Sequence, residues 1–143
     1  MTNVSPRRIL AFLAIAVAAA AFALTVILRS TSTADAASSV SVRLSDFKVR
    51  ATPSSTESGR VTFNVRNVAG IEHELMVIKT RRRANDLPLS NGRASERGER
   101  GDVDVDGGDR ERLTLNLSAG HYALICNIGR HYQAGMRANF NVR

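Results

Sequence analysis

From Val40 to the end of the chain, apolar side chains recur with a period of two. Val40, Val42 and Leu44 alternate with serine and arginine, and Val61, Phe63 and Val65 alternate with Thr62, Asn64 and Arg66. Leu113, Leu115 and Leu117 alternate with Thr114 and Asn116, and Ala138, Phe140 and Val142 with Asn139 and Asn141. Successive side chains of a strand point to opposite faces, so each stretch predicts a β-strand with one buried face. Residues 72–79 and 122–127 predict two further strands, and Ser118-Ala119-Gly120 supplies turn chemistry between two of the six. Short strands joined by turns, with no helical periodicity among them, predict an all-β sandwich over residues 40–143.

Residues 81–112 interrupt the alternation. They are rich in Arg, Asp, Glu, Gly and Ser and are read as a long charged insert. Within it, Asp102-Val103-Asp104-Val105-Asp106-Gly107 resembles the opening of a calcium-binding loop, but the twelfth position, where a bidentate Glu belongs, is Leu113. A solvated acidic turn is the expected reading, and Arg81-Arg82-Arg83 is expected to be a solvated edge.

The N-terminal segment has a different pattern. Arg7 and Arg8 precede an unbroken apolar run over residues 9–28, broken in polarity by Thr25 alone. Twenty helical residues span roughly 30 Å, the thickness of a bilayer core. Residues 1–29 are therefore expected to form one transmembrane or signal helix. The arginines place its start in the cytoplasm and the remainder outside, and residues 30–39 form a Ser/Thr/Ala linker. Ala34-Asp35-Ala36 reads as a small-residue processing site, whereas the length of the run favours an uncleaved anchor. The expected location is extracytoplasmic and membrane-anchored, or secreted if the chain is cut near Ala36.

Composition narrows the choice of function. After the apolar segment there is room for one small domain and none for a second, catalytic one. The formal charge of +7 would suit nucleic acid, an acidic membrane surface or an acidic protein, and export removes nucleic acid from that set. The single cysteine excludes an internal disulfide, so the domain must be held by its core or by a metal.

That cysteine opens the segment Cys126-Asn127-Ile128-Gly129-Arg130-His131-Tyr132-Gln133-Ala134-Gly135-Met136. Thiolate, imidazole and thioether stand at Cys-x4-His-x4-Met spacing on one strand-to-strand loop, which can curl round a single ion. Thiolate and imidazoles in a plane with a weak axial thioether form the blue-copper donor set. Strand parity supplies the second imidazole: His73 shares a face with Leu75 and Val77, Cys126 with Tyr122 and Leu124, and Met136 with Ala138, Phe140 and Val142. His121 falls on the opposite face, with Ala123 and Ile125, and is left out. Zinc is the rival metal, but structural zinc takes four strong ligands and a thioether is a poor one.

This loop before a last strand, with an upstream histidine in Gly70-Ile71-Glu72-His73-Glu74-Leu75, resembles the cupredoxins, and its spacing is most similar to the sulfocyanin and rusticyanin type. The resemblance covers residues 40–143. It implies a Greek-key β-sandwich, one type 1 copper ion cycling between Cu(I) and Cu(II), and single-electron transfer. Carried over residue by residue, the equatorial ligands are His73, Cys126 and His131 and the axial ligand is Met136. Many relatives have Pro-Gly before the loop histidine; Gly129-Arg130 here puts a cation beside the site and removes proline's stiffness. The chain is thus expected to be no enzyme by itself but a monomeric carrier, with redox proteins as partners and the membrane reached through the N-terminal helix. The alternatives are a copper-handling protein, an electron-accepting module of a larger oxidase or reductase, and a purely structural sandwich.

Overall fold

A computed structural model of the chain describes residues 37–143. The helix expected over residues 1–29 and residues 30–36 of the linker lie outside the described residues. The described chain forms β1 (Ser38–Ser45), β2 (Lys48–Thr52), β3 (Ser55–Thr56), β4 (Gly59–Asn67), β5 (His73–Lys79), β6 (Leu89–Ser90), β7 (Arg93–Ala94), β8 (Glu99–Val105), β9 (Arg110–Leu117), β10 (Gly120–Ile125) and β11 (Arg137–Val142). A four-stranded sheet has the order β2-β1-β4-β9, a five-stranded sheet the order β3-β11-β10-β5-β8, and β6 and β7 form a separate hairpin. β1 runs parallel to β4, whereas β4 pairs antiparallel with β9.

The period-two residues build the space between the two large sheets. Val40, Val42, Leu44, Val61, Phe63 and Val65 face Leu75, Val77, Tyr122, Leu124, Phe140 and Val142 across it, in one continuous core. The rings of Phe63 and Phe140 meet edge to face at 5.5 Å. Burying each such side chain contributes roughly 1.5–3 kcal/mol against leaving it in water.

The inner strands of the five-stranded sheet, β5 and β10, are buried on both faces. Every residue of β5 from His73 to Ile78 is buried, and a second core forms behind it from Met76, Ile78, Ala123, Ile125, Ala84, Leu87, Ala94 and Tyr132. Ala84, Leu87 and Ala94 come from the stretch read as a charged insert, which carries the β6–β7 hairpin, all of β8 and the start of β9. Its few apolar residues suffice to cover the outer face of β5 and β10. The Asp102-to-Gly107 segment is no calcium loop: Val103 and Val105 point inward from β8 while Asp102 and Asp104 are exposed, and Asp106 begins the turn to β9.

The pairing registers bring four connections to one end of the sandwich. These are the β1–β2 turn, residues 68–72 between β4 and β5, residues 106–109 between β8 and β9, and residues 126–136 between β10 and β11. Asn67 ties the second and third of these together. Its amide donates to the carbonyls of Ile71 (2.7 Å) and Val105 (2.9 Å), its side-chain oxygen accepts from Ala69 N, and its backbone N–H reaches Asp109 O.

Candidate metal centre

His73 begins β5, Cys126 follows β10, and His131 stands midway along the loop to β11. Inside that loop His131 N donates to Ile128 O, Met136 N to His131 O, and Cys126 N to Met136 O, each at 3.0–3.1 Å. The chain from Cys126 to Met136 is thereby folded back so that the loop closes between its own first and last members. Met136 is fully buried in the core that also contains Cys126.

Among the described residues, His73, Cys126 and His131 form a group whose donor atoms converge. His73 Nδ1 and His131 Nδ1 are 3.3 Å apart, and Cys126 Sγ lies 3.9 Å from the first and 3.4 Å from the second. The point equidistant from three atoms so separated lies about 2.1 Å from each, within the roughly 2.0–2.3 Å of metal bonds to imidazole nitrogen and thiolate sulfur. The triangle is thus ion-sized, and its two nitrogens and one sulfur are the equatorial set of a type 1 site. A single type 1 copper ion fits it.

The electrostatics suit a neutral imidazole and a thiol that ionises only when a metal arrives. Burial, and then the charge of His131, hold His73 below the usual histidine range, against the opposing pull of Asp46. His73 Nε2 is buried without a partner, so the ring has nothing to bind except through the Nδ1 edge that faces Cys126. Burial pushes the Cys126 thiol up; the backbone N–H groups of Glu74 and Ile128 work against that, and the Glu74 and Asp104 carboxylates reinforce it. Glu74 N donates to Cys126 Sγ at 3.3 Å, a contact that stabilises the sulfur once it carries charge.

Around the donors lies a second set of contacts that the periodic pattern alone does not single out. Glu74, on the face of β5 opposite His73, accepts the Asn127 backbone N–H on Oε2 at 3.0 Å. Asn127 is fully buried and holds the insert: its side-chain oxygen accepts from Ala94 N at 2.8 Å, and its amide donates to Ala94 O and to Glu96 Oε1. Tyr132 OH accepts from Leu87 N at 3.0 Å. The one hint of these roles in the sequence was position, since Glu74 and Asn127 each directly follow a ligand candidate. His121 is engaged elsewhere, its ring nitrogens meeting Thr80 O at 3.1 Å and Asn139 Oδ1 at 3.0 Å. Phe47, in the β1–β2 turn with a left-handed φ of 55°, meets the His131 ring edge to face at 5.4 Å.

Fold and donor set together define a cupredoxin-like sandwich with a His-Cys-His site at one end. No protein-family model and no curated protein matches the chain. Among solved structures it is similar to the dithionite-reduced auracyanin of Roseiflexus castenholzii, at 16% identity over 76% of this chain and 98% of that one, with a TM-score of 0.58. It is similar also to auracyanin A, a "blue" copper protein of Chloroflexus aurantiacus, at 19% identity over 73% and 99% of the two chains and a TM-score of 0.54. Rusticyanin from Thiobacillus ferrooxidans matches at 14% identity over 79% and 85%, with a TM-score of 0.55. At these identities the likeness establishes the fold, and the copper assignment stands on the donor geometry.

Proposed function

We propose that the chain is a type 1 copper protein that carries single electrons between exported or membrane-bound redox partners and is not itself an enzyme. The observation that carries this reading is the ion-sized triangle of His73 Nδ1, His131 Nδ1 and Cys126 Sγ at the end of a cupredoxin-like sandwich. Bound copper would supply a Cu(II)/Cu(I) couple. His73, Cys126 and His131 would hold the ion, and Met136, buried and hydrogen-bonded through its backbone to Cys126 and His131 where the loop closes, would add a thioether donor. The buried histidine and the hydrogen-bonded loop keep the donors in place in both oxidation states, so little has to move when one electron enters or leaves. The half-exposed His131 ring, beside Arg130 and Phe47, offers the route out.

The N-terminal segment supports an extracytoplasmic, membrane-anchored location, with the carrier monomeric and without nucleic-acid partners. Voltammetry tests the functional reading. The copper-loaded protein should give one reversible one-electron wave, with no catalytic current on adding oxygen. An irreversible wave, or turnover of oxygen, would replace the carrier with a copper-handling protein or an oxidase module.

A further inference from the structure

The outer face of the four-stranded sheet carries an arrangement that neither the core nor the metal site uses. Arg43 of β1 is the register partner of Arg50 on β2 and of Arg66 on β4, and Arg66 is the partner of Arg110 on β9. Val42 and Leu44, Val49, Val65, and Leu113 and Leu115 point inward from the same strands, so all four arginines point outward, and all four are exposed. They form a row straight across the sheet, one per strand, at about 4.8 Å between neighbours. Lys48, paired with Ser45, stands one rank closer to the β1–β2 turn, and Arg112, whose Nε meets Asn64 Oδ1 at 3.3 Å, one rank further from it.

Like charges directly opposite one another on adjacent strands destabilise a sheet. Among the described residues no ion pair includes any of these. The ion pairs among the described residues, Arg82–Asp86, Arg93–Glu96 and Arg143–Glu57, lie elsewhere, although Asp46 and Glu111 are exposed nearby. Most other outward positions are neutral, among them Ser41, Thr62, Asn64, Thr114 and Asn116, and Arg60, the partner of Asn116, is a further exposed cation at the far end of β4. A groove of about 410 Å³ opens on this face beside Arg66, Arg110 and Arg112, with Glu111 on its wall.

The row lies at the metal end of the sheet. Arg43 is three residues from Asp46, and the turn it leads into presents Phe47, 43% exposed, against the His131 ring. From these placements we infer that the arginine row is the docking face for an acidic redox-partner protein, whose carboxylates line up along the row and bring its own redox group to the Phe47–His131 edge. That electrons cross at this edge rests on the copper reading above; the docking itself does not. An anionic bilayer fits less well. Faces that bind membranes combine cations with broad exposed apolar surface, and here the neighbours within the sheet are Ser, Thr and Asn, with Phe47 alone at the rim beside the row. The chain also enters β1 at Ser38, five residues or roughly 17 Å from Arg43, at the end away from the row.

The full chain in uncharged detergent, copper-loaded and metal-free, is titrated with a short polyglutamate peptide at low and high salt while backbone amides are followed by NMR. The peptide should shift amides around Arg43, Arg50, Arg66 and Arg110 in both forms. Arg43→Glu with Arg66→Glu should weaken binding by at least about tenfold at low salt, and the difference should shrink as salt screens it. The neutral pair Arg43→Gln with Arg66→Gln should weaken it less and, by relieving repulsion, should raise the melting temperature at low salt. Unchanged affinity in the charge-reversed protein, or shifts centred on Arg81 to Arg83 or on Arg130, would overturn the docking face. So would dispersed phosphatidylglycerol moving the row amides where the peptide does not, which would assign the row to lipid. Loss of copper binding with peptide binding intact would strike the copper reading alone.

Discussion

Met136 is hydrogen-bonded through its backbone to Cys126 and His131, and Glu74 through its backbone N–H to the Cys126 sulfur, yet only Met136 stood out in the sequence as a candidate. The thioether stood out because its spacing from Cys126 and His131 fits a loop closed on a soft ion. Glu74 did not, because a carboxylate after a histidine becomes informative only when the fold brings the Asn127 N–H to its Oε2 at 3.0 Å. Each makes a prediction. Met136→Leu should keep the colour of the copper protein and raise its potential, since removing a weak donor favours Cu(I), while Met136→Gln should lower it; voltammetry of the two variants checks the order. Glu74 holds negative charge near the sulfur, so Glu74→Gln should keep the hydrogen bond and raise the potential. Glu74→Leu strands the buried Asn127 N–H and should lower stability by about 1–3 kcal/mol in denaturant melts. A pH effect follows from His73. Its folded value is depressed below 6.5. Below that pH the unfolded chain binds a proton that the folded, metal-free chain still refuses. Stability should therefore fall as pH drops from about 6.5 and level off once the buried ring protonates. Melts of metal-free protein across that range should lose this component in His73→Gln.

At the scale of elements, strands with one buried face were legible and strands with two were not. β1, β4, β9 and β11 alternate cleanly, because their outer faces meet water or the protein's rim. β5 and β10 were found by their apolar content, but nothing in them said what covers the far side. That cover comes from residues 81–98, where the three side chains that pack inward, Ala84, Leu87 and Ala94, are scattered among charges too sparsely to show a period. β8 was hidden for a related reason: Val103 and Val105 alternate with Asp102 and Asp104, and the carboxylates led to the expectation of a solvated acidic turn. One local signal was present, since Asn91-Gly92 between β6 and β7 adopts φ values of 50° and 80°, as in tight hairpins. The short strands β2 and β3 offer too few residues for a pattern to show. Asn127 links the covering insert to the cysteine loop, which gives the element a test. Asn127→Ala removes three side-chain hydrogen bonds to Ala94 and Glu96 and should destabilise the domain by about 2–4 kcal/mol. It should also raise hydrogen exchange at Ala94 and leave the ligands in place. Exchange at Ala94 equal to that of the parent protein would show that the insert is held by its apolar contacts instead.

For the whole molecule, the parts combine as a rigid holder with its donors at one end and its cationic face beside them. Four connections converge there because the registers of both sheets end together, and Asn67 locks two of them by hydrogen bonds. The position of the donors was readable from strand parity, whereas their convergence to an ion-sized triangle depends on registers that no single segment encodes. Contacts at this end are tight. A side-chain carbon at Gly107 would come within 2.6 Å of the Gly70 backbone, so Gly107→Ala should push on the turn that leads to His73 and alter the copper spectrum. Because Cys126 must ionise to bind metal, uptake should release a proton and weaken toward acid. The most direct measurement of the central claim is the absorption spectrum of protein loaded with Cu(II), alongside the Cys126→Ser variant. The parent should show an intense visible thiolate-to-copper charge-transfer band, and the variant should be colourless. A colourless parent that takes up zinc in preference to copper would contradict the account.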